Sequence, residues 1–240
     1  LNASGAGSLA TTQPLDPKPT GVTMSNIPVP EADGVEIKPM RFPYKTGKAW
    51  AGDYYTVIPG AKVEKSPMTK FKHLVWPDRA MPTKDELSRW RGLGMTEEAN
   101  PLLLLDSPVS LALCLCVVDV DYPPALKPVL EWLQSLGITS TLSVSSGREG
   151  GGMHLYFRRE GKWPKNYRSQ NGVKMFGTFT SADGKQRGCV DFKAYNSYVV
   201  APGAVHKSGK VYTATWSGVV VTELEDVLQR LPVMPLEAWL

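Results

Sequence analysis

The stretch from Leu111 to Asp121 most constrains what this chain can become. An apolar run, Leu111 to Val120, ends in two carboxylates two residues apart, Asp119-Val120-Asp121. Such a run reads as a buried strand. Residues i and i+2 of a strand face the same side, so Asp119 and Asp121 project together off its end. Two adjacent anions repel unless a cation or a proton lies between them. Paired carboxylates on a rigid strand therefore suit Mg²⁺ or Mn²⁺ and phosphoryl chemistry. Alone, the pattern is weak. With 11 Asp among 23 acidic residues in 240, chance gives about one Asp-x-acidic triplet.

The length allows one large domain or two small ones, and a hydrophobic content of 42% suffices for a core. No run of 18 apolar residues is present, so no membrane span is expected. The first residues carry no basic segment followed by an apolar one, and a cytoplasmic protein is expected. Cys114, Cys116 and Cys189 all lie in apolar, strand-like runs, as reduced core thiols do. Zinc is not expected, because no His/Cys pairs fall at finger spacing. A net charge of +4 permits a polyanionic partner without requiring one.

Residues 1–34 are rich in Pro, Gly, Ser and Thr and lack periodicity, which predicts a flexible arm. Met24 is a possible native start. Residues 35–240 are read as the folded domain. Lys62 to His73 is a basic stretch. Thr83-Lys84-Asp85-Glu86 and Thr222-Glu223-Leu224-Glu225 are capping boxes, each opening a helix, the first to about Arg91 and the second to about Leu231. Between them the spacing predicts a strand over Leu111–Val120 and a helix from Pro124 to Gly137. Strands are expected over Ile138–Ser145, Met153–Arg158, Gly188–Lys193, Tyr198–Ala201 and Val211–Thr215. This order points to an α+β fold with a mostly antiparallel sheet.

Two further segments give the Asp pair its context. One is a glycine loop running into a His-bearing strand, Ser145-Ser146-Gly147-Arg148-Glu149-Gly150-Gly151-Gly152-Met153-His154. The other is a strand with a central acid, Cys189-Val190-Asp191-Phe192-Lys193, followed by Tyr198-Val199-Val200-Ala201-Pro202 and His206. Nucleotidyl transfer uses two divalent cations about 3.5–4 Å apart, and hard cations take carboxylate oxygens. Asp119, Asp121 and Asp191 supply three. Glycine backbone at 147–152, including Gly150 and Gly152, can approach a triphosphate with its N–H groups. His154 can donate to a phosphate oxygen. Arg148 and Lys193 can neutralise remaining charge, the first by bidentate contact and the second as a point charge.

This set resembles the archaeo-eukaryotic primase superfamily, and most closely the primase–polymerase domains of plasmids and phages. Asp119 and Asp121 match its first motif, Gly152-Met153-His154 its second, and Asp191 its third. Lys65-Ser66-Pro67, Thr83 to Trp90, Tyr198 to Pro202 with His206 and Gly209, and Leu231-Pro232 to Trp239-Leu240 also resemble the family, so the likeness spans about residues 60–240. Gly152 stands where the family often has serine, and Gly203 where a second proline is usual. The resemblance implies an RRM-like palm, an antiparallel sheet flanked by helices, with a smaller amino-terminal α/β module. It implies template-directed nucleotide addition in DNA replication with two Mg²⁺ or Mn²⁺ ions held by Asp119, Asp121 and Asp191. It also implies nucleotide contacts at His154, Arg148, Lys193, Gly150 and Gly152. Partners would be single-stranded DNA template and primer, a dNTP or NTP, and a helicase, in the bacterial host of a phage or plasmid.

Two other readings use the same residues: a non-catalytic RRM-like nucleic-acid-binding module, and a metal-dependent nuclease. The first normally shows aromatic and basic residues on central strands, which Leu111–Val120 lacks. His206 is expected to structure its turn rather than touch substrate, and Trp76, Trp90, Cys114 and Cys116 to be core. The run from Lys62 to His73 reads as a solvated face that can also track a template backbone. Tyr122 is one candidate for sensing the ribose.

Overall fold

A computed structural model describes residues 56–60, 85, 88–89, 100–105, 114–148, 151–159, 169–194, 197–221, 227 and 230–239. The arm 1–34, the run Lys62–His73, Trp76, Trp90 and the capping residues Thr83 and Thr222 lie outside them. Asp85, Ser88, Arg89 and Val227 are helical.

The apolar run does form a strand, β3 (Cys114–Val120). Leu115, Cys116, Val117, Val118 and Val120 are almost fully buried, so β3 is covered on both faces. A strand of this kind needs neighbours on each side to satisfy its backbone. β3 has β5 (Met153–Arg159) on one edge and β7 (Gln186–Lys193) on the other. Around these, β4 (Leu142–Ser145), β6 (Gln170–Thr180), β9 (Thr213–Trp216) and β10 (Val219–Val220) complete a seven-stranded sheet, in the order β10-β9-β4-β5-β3-β7-β6. A second sheet pairs β1 (Thr56–Gly60) with β2 (Asn100–Leu105) and β2 with β8 (Ser197–Val200). Every strand pairing is antiparallel. With the helix that follows β3, this is the expected α+β architecture.

The two faces of β3 feed two cores. Cys116, Val118 and Val120 join Leu155, Phe157, Val190 and Phe192 beneath helix α1 (Leu126–Ser135), which contributes Val129 and Leu133. Leu115 and Val117 join Leu142, Val144, Tyr156 and Tyr212 against Leu102, Leu103 and Leu105 of the second sheet. Asp119 is two residues beyond Val117, so it continues the face turned away from α1.

A 3-10 turn at Pro123–Ala125 leads into α1, with proline where a missing N–H costs nothing. Its apolar stripe, Leu126, Val129, Leu130, Leu133 and Leu136, repeats at helical spacing. The helix closes as the sequence predicts, at Gly137 (φ +77°). Gly137 N–H donates to the Gln134 carbonyl at 2.9 Å and Ile138 N–H to the Leu133 carbonyl at 3.0 Å, the paired bonds of a Schellman cap. That cap consumes Ile138, so the strand expected over Ile138–Ser145 begins only at Leu142. Similarly, Val211 makes a single bridge to Val205, and the strand expected from it starts at Thr213.

Cys116 and Cys189 are buried and form no disulfide with one another, and burial pushes the Cys189 thiol up. No helix among the described residues is long and apolar enough to cross a membrane.

Candidate metal centre and its flanking loops

Strand register builds the site. Asp119 on β3 lies directly opposite His154 on β5 and Asp191 on β7. Cross-strand partners share a sheet face, so one row carries His154, Asp119 and Asp191 side by side. Asp121 is one step past the end of β3, held by its N–H donating to the Cys189 carbonyl at 3.2 Å. One carboxylate oxygen each from Asp119, Asp121 and Asp191 lie within 4.8 Å of one another. Their side chains are 15%, 39% and 21% exposed, so the cluster opens to solvent on the Asp121 side.

Basic groups offset this concentration of charge. Arg148 donates to Asp121 Oδ1 at 2.9 Å and to its carbonyl at 3.3 Å. Lys193 Nζ is 2.6 Å from Asp191 Oδ2 and 2.9 Å from Asn171 Oδ1. The other oxygen of Asp191 accepts from the Gly172 N–H at 2.6 Å. Gly172 has φ +65° and lies where the β6–β7 register shifts. Such an irregularity re-aims a backbone group that a regular ladder would use between strands. His154, 3% exposed, has Nε2 at 3.5 Å from Asp119 Oδ1, an ion pair when the imidazole is protonated.

The glycine loop starts at the end of β4. Ser146 N–H donates to the Gly152 carbonyl at 3.0 Å, and Gly151 N–H to the Arg148 carbonyl at 2.9 Å, so the loop folds back on itself. Gly152 allows a close approach: a Cβ there would lie 2.6 Å from Ser146 Oγ. Ser146 is 2% exposed, and its hydroxyl has no hydrogen-bond partner among the described residues. A side chain at position 152 would require the Ser146 hydroxyl to turn away, and Ser146 itself places a hydroxyl beside Gly152. Gly150 lies outside the described residues.

A second loop, residues 201–212, packs on the first. His206 Nδ1 is 2.9 Å from Ser208 Oγ, and Ser208 Oγ donates to the Gly147 carbonyl at 2.9 Å. His206 N–H also donates to the Lys210 carbonyl at 2.8 Å. His206 thus shapes its own turn, the role expected for it. Tyr212 closes the loop, with its ring 5.8 Å from that of His154 and 6.1 Å from that of His206. Burial, and then the charges of Asp119 and Asp121, push the Tyr212 phenol well above its ordinary value, and Arg148 pulls the other way.

The fold therefore brings together Asp119, Asp121, Asp191, His154, Arg148, Lys193 and Gly152. Sequence reasoning missed Ser146, Asn171, Gly172, Ser208 and Tyr212. Ser146 sits inside the loop that was singled out, while Gly172 has no local signal at all. Tyr122 is 40% exposed and its ring stacks on Phe179, with centroids 5.9 Å apart.

The family model described as "Bifunctional DNA primase/polymerase, N-terminal" matches residues 48–232. No curated protein gives a significant match.

Proposed function

The chain belongs to the bifunctional DNA primase/polymerase N-terminal domain family, and on that premise we propose that it is a template-directed nucleotidyltransferase acting in DNA replication. The observation that carries this reading is the convergence of three carboxylates from two adjacent strands, one oxygen of each within 4.8 Å. Three hard oxygen donors fit Mg²⁺ or Mn²⁺, and Asp119, Asp121 and Asp191 are the residues that would hold two such ions. When bound, the ions supply charge neutralisation at the attacking and departing oxygens and lower the pKa of an attacking hydroxyl.

The rest is the work of this chain's residues. His154, packed against Tyr212, presents a fixed donor for a phosphate oxygen. The glycine loop, to which Gly150 and Gly152 are assigned as nucleotide-binding residues, brings backbone N–H groups to the triphosphate. Arg148 and Lys193 sit on the carboxylates at 2.9 and 2.6 Å, within one side-chain movement of any phosphate bound there. Positioning and electrostatic preorganisation account for most of the rate. The seven-stranded sheet serves as the RRM-like palm, joined to a smaller amino-terminal α/β module. The substrates are a dNTP or NTP and a primer on single-stranded DNA, with a helicase as partner in a phage- or plasmid-carrying bacterium. Residues 35–240 form the catalytic domain and 1–34 its arm.

The test is incubation with labelled primer–template, dNTPs and Mg²⁺ or Mn²⁺. Longer product is expected, and Asp119→Ala or Asp121→Ala should lower extension by more than about 10²-fold, the scale of losing one transition-state stabiliser. Shorter product would make the protein a nuclease, and binding without reaction would make it a non-catalytic module.

A further inference from the structure

We infer that Lys210 is a phosphate-binding residue for the polyphosphate tail of the incoming nucleotide. This rests on the nucleotidyltransferase reading and adds a residue to it.

Charge is the first ground. Arg148 and Lys193, the two bases beside the carboxylates, are both engaged by them, at 2.9 Å on Asp121 and 2.6 Å on Asp191. A triphosphate brings several further negative charges, and these need a base that is not already paired. Lys210 is exposed, and its ammonium has no acidic partner among the described residues.

Placement is the second ground. Gly147 opens the glycine loop, and a Cβ on it would lie 2.6 Å from the Lys210 Cβ. Gly147 also has φ +64°, a conformation that side chains resist. Both facts allow the base of the Lys210 side chain to lie directly on the loop. The Ser208 hydroxyl bond to the Gly147 carbonyl, at 2.9 Å, fastens the two loops at the same point. Lys210 therefore leaves the surface one residue from Arg148, whose guanidinium reaches Asp121. Its flexible four-carbon stem can carry the ammonium across the loop mouth.

The third ground is independent of Lys210. Ser146 Oγ is buried with no partner among the described residues. Buried hydroxyls are normally bonded, so this one is a donor that a rotation of Ser146 on the loop can offer to an oxygen-rich ligand. Ser146 and Gly147 on one side and the Ser208–Lys210 turn on the other are held against each other.

The test is titration of the whole chain with dATP, dADP and dAMP in Mg²⁺, read by calorimetry. Lys210→Ala keeps the Cβ that packs on Gly147, so the loop contact survives. It is expected to weaken dATP binding about tenfold, as loss of a charge-assisted contact does, with little change for dAMP. Lys210→Arg should restore dATP binding. Lys127→Ala, an equal change in net charge on the outer face of α1, should leave it unaltered. Wild-type affinity for dATP in Lys210→Ala overturns the proposal, as does an equal loss for dAMP, or the same loss in Lys127→Ala. A wild-type chain that binds none of the three nucleotides removes the nucleotidyltransferase reading itself, and Lys210 with it.

Discussion

Tyr212 shows how much a single side chain in this site is asked to tolerate. Its hydroxyl is buried beside two histidines with no hydrogen-bond partner among the described residues. Its phenol resists ionisation because burial and two neighbouring carboxylates disfavour a further negative charge. Below the ordinary phenol value of about 10, Tyr212 is protonated in folded and unfolded chains alike, and stability does not depend on it. Above that value the unfolded chain loses the proton and the folded one keeps it. Stability therefore falls with rising pH, by up to about 1.4 kcal/mol per pH unit. Tyr212→Phe removes this contribution and also removes an unsatisfied hydroxyl. Urea midpoints from about pH 9 to pH 11 should fall less steeply for the variant, and at neutral pH it should be as stable as wild type or up to about 1 kcal/mol more so. Equal alkaline slopes would show that Tyr212 ionises freely in the folded protein. The carboxylates around it were legible in the sequence because acids rarely interrupt apolar runs. Tyr212 was not, because an aromatic in a β-branched stretch reads the same whether or not it borders a site.

Among the elements, α1 and β6 mark the limits of such legibility. α1 is written locally, in apolar residues at helical spacing, a proline entry and a glycine stop. β6 is written elsewhere. It is a largely exposed edge strand carrying Gly172 and Gly177, with no alternation to read, and it exists because β7 offers it a ladder. β1 and β2 likewise depend on β8, about a hundred residues away in sequence. Yet β6 holds a residue that matters, since Gly172 supplies a donor to Asp191. The contact that allows this is backbone against backbone: a Cβ on Gly188 would lie 2.1 Å from the Gly172 carbonyl oxygen. Gly188→Ala should push β6 away and destabilise the protein by about 3 kcal/mol, the upper end for overpacking. Amide exchange along 170–180 should rise with it. A chain of wild-type stability would mean that the bulge absorbs a methyl group without moving.

At the scale of the molecule, two cores lie on the two faces of one sheet, and the carboxylate cluster sits where the apolar packing of β3 stops. Three acids so close oppose folding unless cations offset them, and Arg148 and Lys193 do so only in part. Mn²⁺ should therefore raise the melting temperature, since a ligand for the folded state alone stabilises it, by about 2.7 kcal/mol at a hundred times its Kd. Asp191→Asn should melt at or above the wild-type temperature in EDTA and gain much less from Mn²⁺. The same Mn²⁺ increment in that variant would place the ion away from Asp191. This measurement needs neither DNA nor nucleotide.

The row His154–Asp119–Asp191 is fixed by strand register, and register has a further consequence. Neighbouring positions of a strand face opposite sides of the sheet, so a slip of one residue turns every side chain over. If β7 slipped once against β3, Asp191 would turn towards the buried face under α1. The cluster would keep two acids and lose the third. No gradual misalignment lies between these cases, because the ladder moves in whole residues. Formation of the three-acid cluster is accordingly a discrete property of each molecule, complete only in chains whose sheet has paired in this register.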